Sequence, residues 1–322
     1  MTIKIRPFEA TDAEYEAIVA INNAVYPDKP DSAASIKYRD QNRDPKYLRQ
    51  HFVVENDQAQ IIAEATCWED SESYVPGKYS IGFCVHPHYA DQGIEASFYD
   101  YLLSYLRTQT PEPTILETYL QEDEVVQLKL FKAQEYKVAQ RDPTSEIDLT
   151  ETNHDHLTGT LNKMLTSGIN IHTLTDMMTH DPDWQLHCYQ IANAIEADIP
   201  SPDPFTPEPF EEFVKIFDHP NFLADATFFA LDQDQWVGMS NLWRNPILTD
   251  RCKVGLTGVL PSHRRRGIAT ALKLNTFHYA RQNGIRYIHT ENEENNPMYA
   301  LNMQLGFKPK PALLTLRKEI KE

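Results

Sequence analysis

Two stretches of the chain share one order of apolar and polar positions. Residues 51–67, HFVVENDQAQIIAEATC, are a β-rich apolar run, a polar turn and a second β-rich run, and residues 227–243, TFFALDQDQWVGMSNLW, repeat that order. A further strand-like run ending in Val-x-Pro follows each, FCVHP at 83–87 and TGVLP at 257–261. Each then shows a Gly-Ile pair, at 93–94 and 267–268, that opens a helix-like segment. Aligning Pro87 with Pro261 also aligns Gly93 with Gly267 without a gap. Self-similarity at a fixed offset marks an internal repeat, here a duplicated α+β domain.

Helical periodicity agrees. Tyr15, Ile18, Val19 and Val25 make one apolar stripe, and Cys188, Ile191, Ala192, Ile195 and Ile199 make the corresponding one in the second half. These are core faces and carry no chemistry. Residues 149–167 read as the join, polar at first and then a short helix ending at Gly168. The expected organisation is a domain over 1–148, a linker over 149–167 and a domain over 168–322. Residues 200–209, PSPDPFTPEP, carry five prolines and are expected to be extended and stiff. They are either a rigid loop after the preceding helix or a wall of a substrate cleft.

Composition narrows the function. At 322 residues there is room for two cores. No run approaches the ~20 apolar residues of a membrane span, and the start, MTIKIRPFEATD, has no apolar secretory region. Cys67, Cys84, Cys188 and Cys252 are scattered, with no CxxC, as expected of reduced thiols in the cytoplasm. His86-x-His88 and His154-x-His156 lack a further ligand pair at finger spacing, so no metal is expected. The formal net charge of -17 disfavours a nucleic-acid partner and suits a cationic small molecule.

Against that acidity stands VLPSHRRRGIAT, residues 259–270. A strand, a glycine-bearing turn and a helix start are a means of holding phosphate, because the first helical N–H groups lack internal partners. Gly267 permits close approach of the backbone, Ala269 is small, and Arg264, Arg265 and Arg266 supply positive potential. No Gly-Lys-Ser/Thr follows, which excludes a Walker loop, and the second glycine of a Rossmann fingerprint is missing.

Here the sequence resembles the GNAT N-acetyltransferases. Their motif Arg/Gln-x-x-Gly-x-Gly/Ala is matched by Arg264, Gly267 and Ala269, and their later Asn-bearing helix ending in Leu-Gly-Phe by NEENNPMYALNMQLGFKP, with Asn292, Asn295 and Leu305-Gly306-Phe307. IKIRPFEATDAEYEAI resembles the family's first strand and helix, so the resemblance spans a tandem of two GNAT-like domains. It implies an α+β fold in which each domain is a mixed, mostly antiparallel twisted sheet flanked by helices.

It also implies acetyl-CoA as co-substrate and acetyl transfer to a primary amine of a small acceptor. Asp198 and Asp203 about the proline loop, and Trp243 and Arg244 on a strand, are the candidates to face that acceptor. The alternative is an acetyl-CoA sensor without turnover. Gly258, Val259 and Leu260 would hold the pantetheine arm, and amides from Arg265 through Arg266, Gly267, Ile268 and Ala269 to Thr270 the pyrophosphate, with Asn295 and Asn302 near the coenzyme. Many members carry a tyrosine five residues before that Phe as the acid for the thiolate; here the position is Asn302. Tyr299, Glu291 and His289 are the other candidates for proton transfer. The first half departs further: Ala90 and Glu95 replace the Arg and the small residue, beside Asp91, and Ala133-Gln134-Glu135-Tyr136 stands near the place of Leu-Gly-Phe. That half is expected to bind coenzyme poorly or not at all. A monomer or homodimer is expected.

Overall fold

The structure, a computed structural model, describes residues 4–90 and 92–320. Asp91, one of the two acidic residues noted in the first half's turn, lies outside the described residues. The chain forms two compact units. One holds the described residues up to Arg141, with Pro202–Thr206 and those from Leu313 onward; the other holds Asp142–Ser201 and Pro207–Ala312.

The first unit contains β1 (Lys4–Pro7), α1 (Asp12–Val25), α2 (Ala33–Gln41), β2 (Arg49–Glu55), β3 (Ile61–Trp68), β4 (Lys78–Val85), α3 (Ile94–Leu106), β5 (Ile115–Gln121) and α4 (Val125–Ala133). The next strand, β6 (Lys137–Asp148), begins here. Alternation in β2 and β3 supplies the core: Phe52, Val54, Ala63, Ala65 and Cys67 meet Phe98, Leu102 and Leu106 of α3. On the other face Tyr15, Ile18 and Val19 of α1 pack with Val53. Thr11 starts α1 by accepting the Glu14 N–H at 3.3 Å.

The second unit contains α5 (Thr158–Thr166), β7 (Ile169–Thr173), α6 (Leu174–His180), α7 (Trp184–Glu196), α8 (Phe210–Phe213), β8 (Phe222–Asp232), β9 (Gln235–Arg244), β10 (Arg251–Val259), α9 (Ile268–Gln282), β11 (Tyr287–Glu291) and α10 (Pro297–Gln304). The last strand, β12 (Lys308–Glu319), starts in this unit. The short helix anticipated before Gly168 is α5. Both repeat segments are hairpins, β2–β3 and β8–β9.

Strand order is β1-β2-β3-β4-β5-β12 in the first unit and β6-β11-β10-β9-β8-β7 in the second. Only β4–β5 and β10–β11 are parallel among the assigned pairs. The sheets therefore have the mixed, mostly antiparallel character expected of the fold class. The division at 148 and 168 does not coincide with the compact units, because strands are exchanged. Leu313–Glu319 of β12 pair antiparallel with Gln121–Ile115 of β5, while Thr144–Asp148 of β6 pair with Glu291–Tyr287 of β11.

The proline segment is likewise drawn into the first unit. Asp203 lies 2.7 Å from Lys78 Nζ and 2.5 Å from Arg317 Nη2, and Glu117 lies 2.5 Å from the same Arg317 nitrogen. Lys78 and Glu117 are 2% exposed. Charges buried this deeply persist because each sign is matched.

Candidate functional site

Strand β10 pairs with β11 at only three positions, Arg251–Tyr287, Cys252–Ile288 and Lys253–His289. Beyond Lys253 the register of β10 on β9 slips between Val254 and Thr257, a β-bulge. Asn241 holds it, its Oδ1 accepting the Leu256 N–H at 2.7 Å. Gly255 is required there, because a Cβ would overlap the indole of Trp243. The bulge turns β10 away from β11 and leaves an unpaired strand edge. Leu260 N–H donates to Val237 C=O at 2.9 Å. By the alternation of an antiparallel ladder, Leu260 and Gly258 face β9, whereas Val259 and Thr257 turn their N–H groups to the open edge. Of the three residues expected to hold pantetheine, Val259 is the one with an N–H free for it. Its C=O already accepts Arg264 Nε at 3.0 Å. Gly258 has a packing role: a Cβ would overlap Ile195 of α7.

The turn then leads into α9. Gly267 is the N-cap at φ 83°, and no side chain caps the helix. The first-turn N–H groups of Ile268, Ala269 and Thr270 therefore remain for a ligand. Close approach at Gly267 has a cause other than the ligand: a Cβ there would stand 2.8 Å from Thr160 Cγ2 of α5. Arg265, at φ 62°, is left-handed as well.

The three arginines are not equivalent. Arg264 is bonded to Asp198, just past the end of α7. Arg266 lies 3.0 Å from Asp232 and its other nitrogen donates to Ser167 C=O at 3.3 Å. Arg265 alone of the three has no carboxylate partner among the described residues. The positive turn is thus two-thirds neutralised by acidic neighbours, a feature that a linear reading of RRR misses.

The proposed proton-transfer residues have different partners and exposures. Glu291 Oε1 is 2.6 Å from Lys253 Nζ. Asn295, on the surface, donates to Glu293. Asn302 is fully buried on α10, and its Nδ2 donates to Asn292 Oδ1 at 2.7 Å. Tyr299 is partly exposed on α10, and His289 lies on β11. The acceptor candidates likewise differ in their surroundings. Asp203 belongs to the first unit, Asp198 is taken by Arg264, Trp243 packs edge-on against Phe222 and His219, and Arg244 is exposed.

Lys273 was not anticipated. It lies on α9 with 1% exposure, its Nζ has no hydrogen-bond partner, and burial lowers its pKa to about 7. Its signal was present: Thr276, Phe277 and Ala280 lie three, four and seven residues after Lys273, which puts it on their buried face of the helix.

The corresponding turn in the first unit has the same backbone and different chemistry. Gly93 caps α3 at φ 75° without a side-chain cap, and the first turn carries Glu95. Near the second motif, Glu135 takes a left-handed φ of 67°.

Among the described residues no helix is long and apolar enough to cross a membrane, and no group of three or more His, Cys, Asp or Glu is placed to hold a metal. No curated protein matches the chain. Residues 188–307 match the model of the acetyltransferase (GNAT) family. A GCN5-related N-acetyltransferase from Sphaerobacter thermophilus is 16% identical with a TM-score of 0.71, over 99% of this chain and 96% of that one. A tandem GNAT protein from the clavulanic acid biosynthesis pathway is 14% identical with a TM-score of 0.76, over 100% and 99%. Taken with the bulged strand, the open edge and the glycine-capped helix, the comparisons show a match to the GNAT family model over residues 188–307 of the second unit, in a chain that has the tandem GNAT fold throughout.

Proposed function

We propose that the second unit is an acetyl-CoA-dependent N-acetyltransferase acting on a primary amine of a small cationic acceptor. The observation that carries this reading is the run from the bulge at Gly255 to the uncapped first turn of α9. It offers an open strand edge and, directly after it, free helical N–H groups. Acetyl-CoA would supply an activated acyl group. The N–H groups of Ile268, Ala269 and Thr270, with Arg265, would hold its pyrophosphate, and the Val259 N–H would stabilise an oxyanion. The attacking nitrogen forms the C–N bond as the C–S bond breaks, and loses a proton. Glu291 and Tyr299 are the residues proposed to manage that proton, directly or through water. Asn302, enclosed and bonded to Asn292, is proposed as a positioning group for α10 beside the coenzyme rather than as an acid, since an amide is no general acid at neutral pH.

The test is calorimetry with acetyl-CoA followed by thiol release against a panel of amines. One equivalent should bind per chain. Gly267→Glu should abolish binding, and Arg265→Ala should weaken it by about tenfold, the scale of one charge-assisted hydrogen bond. Undiminished binding by Gly267→Glu overturns the site. Binding without thiol release across the panel would favour a coenzyme sensor.

A further inference from the structure

The internal repeat offers a comparison within the chain. Tyr99 and Lys273 are each the sixth residue after the glycine that caps α3 or α9. Phe131 and Asn302 each stand five residues before an aromatic, Tyr136 or Phe307, that follows a left-handed residue, Glu135 or Gly306. In the first unit these positions make an aromatic cluster. Ring centroids are 6.2 Å apart for Tyr99 and Phe131, 6.3 Å for Tyr99 and Tyr136, and 5.0 Å for Phe131 and Tyr136. The second unit keeps Phe307, with Lys273 Nζ 5.6 Å from its centroid, and puts polar side chains at the other two places.

Ser145 of β6 joins them. Phe277 packs with Ile288 of β11 and Ile147 of β6. Because β10 and β11 are parallel, α9 between them runs the other way. Lys273 is one turn, ~6 Å, before Phe277 on α9. It therefore comes level with Thr290 and its partner Ser145, two residues or ~7 Å along the strands from Ile288 and Ile147 and on the same face. Lys273 Nζ, Asn302 Oδ1 and Ser145 Oγ are all buried, and among the described residues none of the three has a hydrogen-bond partner.

An ammonium ion suits this place badly, since it has no countercharge there and is cut off from water. A secondary amide at the end of the same side chain would suit it well. It carries no charge, its N–H is a donor for Asn302 Oδ1, and its C=O is an acceptor for the Ser145 hydroxyl. We propose that Lys273 is an acylation site, which takes the acetyl group of acetyl-CoA bound in the same unit. This rests on the reading of that unit as an acetyl-CoA site, in which Asn302 stands beside the coenzyme. The Nζ lone pair attacks the thioester carbonyl, the C–N bond forms as the C–S bond breaks, and the proton lost by nitrogen leaves on sulfur as the CoA thiol. Burial prepares the amine for this. At pH 8 a group with a pKa of about 7 is roughly nine-tenths free base, against under about 1% for an ordinary lysine.

The test is incubation of the full chain with acetyl-CoA at pH 8, with peptide mass spectrometry to follow each lysine and calorimetry to follow coenzyme binding. Lys273 should take up one acetyl group per chain although it is 1% exposed. It should react about tenfold faster or more than the surface lysines, in keeping with its larger share of free base. An excess of CoA, which fills the site without an acyl group, should suppress the reaction, and Gly267→Glu should do the same. The acetylated chain should melt at a higher temperature than the unmodified one, and by a smaller margin in Ser145→Ala, where the new C=O loses its donor. Coenzyme binding with Lys273 left unmodified overturns the proposal and leaves the coenzyme site standing, whereas failure to bind acetyl-CoA removes both. Acetylation of Lys273 that excess CoA does not suppress, or that lowers the melting temperature, also overturns it.

Discussion

Replacing Lys273 by methionine should stabilise the second unit, and the gain should depend on pH. The side chain is 1% exposed, and Nζ has no hydrogen-bond partner. The ring of Phe307, with its centroid 5.6 Å from Nζ, is a weak compensation, because a desolvated cation–π contact returns only about 2 kcal/mol even at short range. Burial lowers the pKa from 10.5 to about 7. At ~1.4 kcal/mol per pKa unit the charged form is disfavoured in the fold by roughly 5 kcal/mol. The folded pKa lies below the unfolded one, so between pH 7 and 10.5 the unfolded chain binds the extra proton and stability rises with pH. The cost is roughly 4 kcal/mol at pH 7, shrinks by ~1.4 kcal/mol per pH unit and has nearly vanished at pH 10.

Methionine has a helix propensity close to that of lysine and needs no partner. Lys273→Met should therefore exceed wild type by about 3–4 kcal/mol at pH 7 and by under about 1 kcal/mol at pH 10. Urea unfolding followed by tryptophan fluorescence reads this, since Trp184, Trp236 and Trp243 lie in the second unit and Trp68 in the first. Taking the difference between the two proteins cancels the buried tyrosines and thiols that also titrate at alkaline pH. A variant no more stable than wild type at pH 7, or a gain that does not change with pH, would refute the reasoning.

Other perturbations address the remaining contacts. Gly258→Ala should cost roughly 1–3 kcal/mol by overpacking, and Ile195→Ala in the same chain should recover part of it; strictly additive free energies would show that α7 does not press on that glycine. Gly267→Ala should lower the melting temperature more than Gly93→Ala: both residues are left-handed, with φ of 83° and 75°, but only the first would meet a neighbour, Thr160, within 4 Å. Equal losses would remove α5 from the explanation. Asp203→Asn should destabilise the first unit by roughly 3 kcal/mol, because it leaves Lys78 and Arg317 undercompensated; a loss below about 1 kcal/mol in thermal unfolding would count against the buried network. With an acceptor in hand, Tyr299→Phe and Asn302→Ala should each lower kcat by less than about a hundredfold. A thousandfold loss in Tyr299→Phe at unchanged coenzyme affinity would make the tyrosine the acid.

The elements of this protein follow from local pattern. The paired hairpins, the apolar stripe of α1, that of α7 from Cys188 to Ile195, and the two glycine-capped helices were legible, because backbone preference and amphipathic period are properties of neighbouring residues; Ile199, expected to continue the second stripe, lies past the end of α7 and is exposed. The left-handed caps at Gly93 and Gly267 bear out the repeat that the gapless offset suggested.

What tertiary structure alone decided is which distant groups meet. Sequence identified RRR as a positive run, but Asp198 and Asp232 neutralise two of those charges from 66 and 34 residues away. It offered Asp203 as a candidate to face a substrate, and the fold spends it on Lys78 and Arg317. It suggested a cut between two consecutive domains, and the fold pairs the last strand with β5 and the end of β6 with β11. Turns, caps and periods are governed by interactions within a few residues and can be read along the chain. Ion pairing and strand exchange are settled by Coulomb and backbone hydrogen-bond partners whose sequence separation carries no local signature, so only the folded structure reveals them.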